Sequence, residues 1–149
     1  MKVRVLLDAN IYLSYLLAPV GQRTINQVVD LCYSGRVMVV IPPELLQEVL
    51  DKLLSKPYLR NHILMAEINR FVEQSAAFVV PPIPAAERPK GGRDPKDAYL
   101  IAYALQYNID YLVTGDKDLL VLGQIGEVKI VQPARLLALL GLTDDGADA

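Results

Sequence analysis

The sequence predicts an α/β domain in which helices cover both faces of a mainly parallel sheet of about five strands, forming a three-layer α/β/α sandwich. Short runs of aliphatic and β-branched residues alternate with longer stretches of helical periodicity, which is typical of this fold class. Most of the strand-like runs are apolar throughout, as expected for strands that are buried on both faces. With 149 residues, 52% hydrophobic and 21% charged, the chain has the size and composition of one folded domain.

Five short segments have the composition of strands, because valine, leucine and isoleucine predominate in them. They span Val3–Leu7, Val37–Ile41, Ala77–Val80, Tyr111–Val113 and Lys129–Val131. The segment at 77–80 is the weakest of these and ends at two consecutive prolines.

Helical periodicity covers most of the chain between these strands, and proline or glycine residues mark several of the ends. The predicted helices span Ile11–Leu17, Thr24–Tyr33, Pro43–Ser55, Asn61–Ser75, Asp94–Tyr107 and Pro133–Leu140, with a helical turn at Asp116–Val121. The proline-rich segment from Pro81 to Arg93 has no periodicity and is predicted to be a loop. Loops of this length inside a compact domain are often functional.

We expect a single domain over residues 1–142 and a flexible C-terminal tail over residues 143–149, which are small and polar. The longest apolar stretches are far shorter than the roughly 18 to 20 residues needed to cross a bilayer, so no membrane-spanning segment is expected. The start of the chain has only a short apolar run before Asp8, which does not fit a signal peptide. We therefore expect a cytoplasmic protein.

The chain has one cysteine, Cys32, and one histidine, His62, so an internal disulfide and a Cys/His zinc site are excluded. Cys32 lies in an apolar helical pattern and is predicted to be a small core residue rather than a nucleophile. The net charge is −2, and three of the 17 acidic residues lie among the last six positions. A near-neutral body neither requires nor excludes nucleic acid as a partner.

Two of the predicted strands are followed by an acidic residue. Asp8 comes directly after Val3–Leu7, and Asp116 comes three positions after Tyr111–Val113. Ligands of open parallel sheets bind beyond the carboxyl ends of the strands, so both carboxylates are expected at the edge of one crevice. A purely structural role does not readily explain Asp8, because burying an acid at the end of a strand is costly without a partner.

Two helices add further acids to this crevice. The helix after the second strand carries Glu44 and Glu48, and the helix after the long loop carries Asp94 and Asp97 in its first turn. Such carboxylates repel one another unless a cation neutralises them, and hard oxygen ligands favour Mg²⁺ or Mn²⁺. The chemistry predicted for this site is phosphodiester hydrolysis. At least one carboxylate should have a raised pKa, because like charges disfavour joint ionisation.

Several of these acids also have structural explanations. Asp94 and Asp97 fit the N-cap and N3 positions of the helix that begins at Pro95. Glu44 can interact favourably with the dipole of its helix. Glu48 lies on the polar side of the same helix, where a metal ligand and a solvated acid are equally compatible with the pattern.

Four motifs occur in an order that covers nearly the whole chain, at Val5–Asn10, Pro43–Leu50, Arg93–Tyr99 and Tyr111–Leu120. Together they resemble the PIN-domain ribonucleases, above all the stand-alone prokaryotic proteins of the VapC type, the toxins of toxin–antitoxin pairs. The resemblance implies a PIN-like fold and a Mg²⁺- or Mn²⁺-dependent endoribonuclease that cleaves single-stranded RNA. It also implies an antitoxin protein as partner and a homodimer.

The resemblance also assigns roles to individual residues. It places the catalytic and metal-binding acids at Asp8, Glu48, Asp97 and Asp116. It places supporting polar residues at Asn10, Thr114, Asp94 and Asp118, of which Asp118 can also be a simple surface residue. Ala9 stands where the family usually has a hydroxylated residue, and this can weaken a supporting contact without removing a ligand.

Two groups of side chains near these motifs bear on RNA binding. Five cations are suited either to RNA phosphates or simply to solvent, namely Arg88, Lys90, Arg93, Lys96 and Lys117. Three tyrosines recur at every fourth position, Tyr99, Tyr103 and Tyr107, and packing explains them better than base stacking.

Three rival assignments fit the sequence less well. A haloacid-dehalogenase-like phosphatase needs a second aspartate two residues after the first, where Asn10 stands. A receiver domain needs its acidic pair, lysine and hydroxyl in a different order. A non-catalytic PIN-like module for RNA binding or protein interaction stays the alternative, although retention of all four acids argues against it.

Overall fold

The alternation of strands and helices predicted from the sequence is present in the computed structural model, which describes residues 2–17, 23–55, 63–88 and 95–142, with the backbone alone at 95–97. The strands are β1 (Arg4–Leu7), β2 (Met38–Val39), β3 (Tyr111–Val113), β4 (Gln124–Ile125) and β5 (Val128–Val131). The helices are α1 (Ala9–Leu17), α2 (Arg23–Tyr33), α3 (Pro43–Ser55), α4 (Met65–Ala76), α5 (Pro95–Gln106), α6 (Lys117–Leu120) and α7 (Pro133–Leu139), and a 3₁₀ turn covers Ala85–Glu87. The predicted tail at 143–149 lies outside the described residues.

The sheet has the strand order β2-β1-β3-β5-β4, and every neighbouring pair is parallel except β4 with β5. The fold is therefore the predicted mixed α/β architecture with a mainly parallel five-stranded sheet. In the β1–β3 pairing, Leu7 lies opposite Val113, and the next backbone N–H, from Asp8, donates to the Val113 carbonyl at 2.9 Å. This register places the segments that follow β1 and β3 side by side at the carboxyl ends of the two strands.

The predicted strand at 77–80 is reduced to one isolated parallel bridge between Val79 and Ile41. Pro81 and Pro82 follow directly and have no N–H groups, so the ladder cannot continue past them. The fifth strand is instead β4, a two-residue strand that forms a hairpin with β5. The sequence did not predict β4 because two residues are too few to show an alternating pattern.

The core lies between the sheet and the helices, and the apolar strands fill its centre. Leu6 and Leu112 are fully buried on neighbouring strands, and the predicted core residue Cys32 is buried in α2. Helix α1 packs against α2 and α3, and the Tyr12 ring of α1 lies 5.6 Å from the Phe71 ring of α4. In the described part of the chain, no helix has both the length and the apolar character needed to span a membrane.

The β4–β5 hairpin turns at Gly126, whose φ of +58° lies in the left-handed region. We expect Gly126→Ala to lower the free energy of unfolding by about 1–2 kcal/mol, because an L-residue is strained at this φ. The added Cβ would also lie 3.3 Å from Cδ2 of Leu105. Gly115→Ala is the control, since no atom lies within 4 Å of its Cβ position and its φ is not positive. Urea denaturation of both variants tests this, and equal stability losses would contradict it.

Candidate active site

Asp8 lies at the carboxyl end of β1 and is only 8% exposed. Its Oδ2 accepts a hydrogen bond of 2.7 Å from the Thr114 hydroxyl, and its Oδ1 accepts a long one of 3.4 Å from the Asn10 backbone N–H. The carboxylate is therefore held firmly on one side and weakly on the other. The contact from Asn10, one of the predicted supporting residues, is made by its backbone N–H.

Thr114 connects the two acids that follow neighbouring strands. It is fully buried at the end of β3, and its Oγ1 both donates to Asp8 and accepts from the Asp116 backbone N–H at 3.0 Å. One hydroxyl group thus fixes the Asp8 carboxylate and the turn that carries Asp116. The supporting role of Thr114 stays a prediction, and these two hydrogen bonds are the contacts through which it would act.

Asp116 begins the short helix α6 as its N-cap. Its Oδ1 accepts a hydrogen bond of 2.9 Å from the Asp118 backbone N–H. One carboxylate oxygen is engaged in this turn, and the side chain as a whole is half-buried. Asp118 therefore contributes to the site through its backbone, and its own side chain is exposed.

Glu48 of α3 is held by two donors from opposite sides. The Tyr99 hydroxyl donates to Oε1 at 2.9 Å, and the Lys52 ammonium group donates to Oε2 at 3.1 Å. Burial and the neighbouring Glu48 charge raise the pKa of Tyr99, so its hydroxyl stays protonated and acts as a donor. The sequence left Glu48 open as a ligand or a solvated acid, and in the structure it is an anchored acid.

The charges of Glu48 and Asp116 act on Asp8. Burial is the largest cause that raises the pKa of Asp8 above its ordinary value, and the two neighbouring carboxylates raise it further. Hydrogen bonds from Thr114 and Asn10 oppose this shift without cancelling it. The prediction of a carboxylate with a raised pKa is confirmed, although burial contributes more than the like-charge repulsion from which it was derived.

Glu44, one turn before Glu48, has a different environment. Its Oε1 accepts from the Tyr103 hydroxyl at 2.7 Å, and its Oε2 accepts from the Arg88 guanidinium group. Burial raises the pKa of Glu44, but the hydrogen bonds from Tyr103 and Arg88 outweigh it and leave the pKa below its ordinary value. Arg88, one of the five cations considered for RNA phosphates, is therefore paired with an acid of the protein itself.

The three tyrosines of the stripe, for which packing at a helix or dimer surface was predicted, pack against neighbouring parts of the chain, and Tyr107 is half-buried. Tyr99 and Tyr103 are buried, and the Tyr103 and Tyr107 rings stack at 6.2 Å. The sequence did not predict the hydrogen bonds that the Tyr99 and Tyr103 hydroxyls donate to Glu48 and Glu44 of α3. Lys52 was also missed, although its spacing of four residues from Glu48 is the standard signal for a helical ion pair.

Part of the predicted site lies outside the described residues. Asp94 is not described, and of Asp97 only the backbone is given, in the first turn of α5. Lys90 and Arg93 also fall outside, as does the side chain of Lys96. Among the residues whose side chains are described, no three acids, histidines or cysteines are grouped as a metal site. The charges of Glu48 and Asp116 nevertheless act on Asp8.

The donor set nevertheless fits a hard divalent cation in its chemistry. Asp8 is a buried carboxylate with one strong hydrogen bond, and two more carboxylates raise its pKa. The described residues place no cationic side chain of the protein on Asp8, whereas Glu44 has Arg88 and Glu48 has Lys52. Carboxylate oxygens near uncompensated negative charge are the ligands that Mg²⁺ and Mn²⁺ prefer.

The sequence pattern of the PIN domain family matches residues 4–118, which include every candidate acid. The chain belongs to the PIN domain family. PIN domains are generally nucleases and generally use divalent metal ions. No curated protein sequence matches the chain at a significant level.

Thr114 can be tested by replacing its hydroxyl with a methyl group. We expect Thr114→Val to raise the pKa of Asp8 further and to lower the free energy of unfolding by about 1–3 kcal/mol, because a buried carboxylate loses its strongest hydrogen bond. Thr114→Ser keeps the hydroxyl and should leave the Asp8 pKa near that of the wild type. NMR titration of the Asp8 carboxyl group, beside urea denaturation, measures both effects. An unchanged Asp8 pKa in Thr114→Val would contradict this account.

Proposed function

We propose that this PIN-domain protein is a Mg²⁺- or Mn²⁺-dependent endoribonuclease that hydrolyses the phosphodiester bonds of single-stranded RNA. The observation that carries the proposal is the pair of strand-end acids, Asp8 and Asp116, linked through the buried Thr114 hydroxyl. A buried carboxylate with a raised pKa beside two other acids is costly to stability and is typical of a functional site. Membership of a family of nucleases supports the reaction class.

In this proposal Asp8, Glu48, Asp97 and Asp116 hold the cation. When bound, the cation would activate a water molecule and stabilise the negative charge that develops on the phosphate. Thr114 orients Asp8 and fixes the turn of Asp116, while the Asn10 backbone supports the other Asp8 oxygen. Asp94, at the start of α5, would cap that helix and so hold Asp97 in its first turn.

The first test removes one acid at a time without changing its shape. We expect Asp8→Asn, Glu48→Gln, Asp97→Asn and Asp116→Asn each to lower single-stranded RNA cleavage by at least about tenfold to a hundredfold, because each loses an anionic ligand. Asp118→Asn is the matched control, since the Asp118 backbone makes the contact with Asp116, and it should have a much smaller effect. Asp94→Asn should keep the cap and most of the activity, whereas Asp94→Ala should cost about 1 kcal/mol of stability.

The same proteins give a readout that is independent of RNA. Mn²⁺ should raise the melting temperature of the wild type, because a ligand that binds only the native state stabilises it. The increase should be smaller in Asp8→Asn and unchanged in Asp118→Asn. Wild-type activity in Asp116→Asn, or the absence of Mn²⁺ binding at millimolar concentration, would favour the alternative, a non-catalytic PIN-like module for RNA binding or protein interaction.

We further propose that the protein is the toxin of a toxin–antitoxin pair and acts in the cytoplasm, where its RNA substrate is found. The motifs that resemble the VapC type support this, and an antitoxin protein would be its partner. A small neighbouring gene that encodes a DNA-binding protein would be the expected genomic context. Co-purification of that gene product with this chain would test the pairing, and its absence from the complex would count against it.

We also propose a homodimer. Several large apolar side chains are exposed on the described part of the chain, and such surface is often covered by assembly. They are Met38, Leu54, Leu64, Met65, Leu105, Val121 and Leu139. Light scattering at tens of micromolar should give twice the chain mass of 16.5 kDa, and a monomer mass would contradict this proposal.

A further inference from the structure

Helices α3 and α5 are joined by two hydrogen bonds of the same kind. The Tyr99 hydroxyl donates to Glu48 Oε1 at 2.9 Å, and the Tyr103 hydroxyl donates to Glu44 Oε1 at 2.7 Å. The two tyrosines are four residues apart, and so are the two glutamates, so each pair lies on one face of its helix. The chain thus contains two tyrosine–glutamate pairs that differ in their surroundings rather than in their chemistry.

The Tyr103–Glu44 pair is part of a closed structural cluster. The Tyr103 hydroxyl also accepts from the Ile83 backbone N–H at 2.9 Å. Arg88 donates to Glu44 and to the Ile83 carbonyl, and its guanidinium group lies 5.6 Å from the centre of the Tyr103 ring. The Ile83 N–H ties the segment at 81–88 to α5 through Tyr103, and the Arg88 guanidinium group ties it to α3 through Glu44. Glu44 is compensated within the protein.

The Tyr99–Glu48 pair belongs to the candidate active site instead. The Glu48 charge acts on Asp8, and Tyr99 follows Asp97 by two positions on α5. Among the described residues, the second Glu48 oxygen is paired with the Lys52 ammonium group, and both side chains are partly exposed. Such a pair is weak and is readily replaced, whereas the Tyr99 ring is 8% exposed and fixed in the core.

We propose that Tyr99 is the positioning residue for Glu48: its hydroxyl holds one oxygen of the Glu48 carboxylate in place, so that the other can serve as a ligand of a divalent cation. This inference rests on the proposed metal-dependent function. A glutamate has three side-chain torsions, and an unanchored carboxylate would sample many orientations before it met the cation. The Tyr99 hydroxyl removes that freedom by holding one oxygen of the Glu48 carboxylate. The other oxygen, whose Lys52 partner is readily replaced, is left for the cation.

The test compares two variants that each remove one hydroxyl oxygen, Tyr99→Phe and Tyr103→Phe. Titration calorimetry should show that Mn²⁺ binds to Tyr99→Phe about tenfold to a hundredfold more weakly than to the wild type, because an orienting partner of a ligand is lost. Mn²⁺ affinity should be unchanged in Tyr103→Phe. Unfolding should show the reverse order, because Tyr103→Phe also leaves the Ile83 N–H without its acceptor and so loses more stability.

This crossed pattern separates positioning from general stabilisation. Wild-type Mn²⁺ affinity in Tyr99→Phe, or equal weakening in both variants, would overturn the assignment while leaving the proposed function intact. A wild-type protein that does not bind Mn²⁺ would overturn the proposed function itself, and the assignment with it.

A second variant keeps the proposal testable if Tyr99→Phe does not fold. Glu48→Asp keeps the charge but withdraws the carboxylate from the Tyr99 hydroxyl by one methylene group. It should weaken Mn²⁺ binding in the same way, and wild-type affinity in this variant would overturn the role of Tyr99.

Discussion

The candidate site depends on the hydroxyl group of Thr114, which is fully buried where β3 ends. Because β1 and β3 are parallel neighbours in register, this hydroxyl reaches Asp8 from the next strand at 2.7 Å and at the same time accepts the Asp116 N–H at 3.0 Å. Two acids that are more than 100 positions apart are thereby fixed by one oxygen atom. The donated hydrogen bond also offsets part of the cost of burying the Asp8 carboxylate, which would otherwise be several kcal/mol.

The strand-end acids were predictable from sequence because their positions follow from local patterns. A run of apolar residues that ends at an acid predicts a strand, and parallel pairing then brings the carboxyl ends of such strands together. Thr114 was recognisable for the same reason, as a short polar residue directly after a strand. The segment at 77–80 had a similar composition, but its pairing was ended by Pro81, whose effect on a ladder depends on which strand lies beside it.

The helical pattern alone did not decide between Glu44 and Glu48, which lie one turn apart on one helix, and only the family resemblance favoured Glu48. The two glutamates differ in their hydrogen-bond partners, which are distant in sequence. Tyr99 lies 51 positions from Glu48, and Tyr103 lies 59 positions from Glu44. No periodicity in either helix encodes which tyrosine faces which glutamate. The packing of α5 against α3 sets this register, and it leaves Glu44 in a structural cluster and Glu48 where its charge acts on Asp8.

The opposite pKa shifts of Glu44 and Asp8 reflect which of the two acids has a cationic partner among the described residues. The pKa of Glu44 is lowered, so its contribution to stability is present above the unfolded pKa and is lost as the pH falls through the folded pKa. The pKa of Asp8 is raised, so its ionised form is disfavoured in the folded state and reduces stability at neutral pH. Arg88 compensates Glu44, whereas the described residues provide Asp8 only with hydroxyl and amide donors. A divalent cation at Asp8 would therefore offset a charge that the described part of the chain leaves unbalanced, and such unfavourable carboxylates are typical of binding sites.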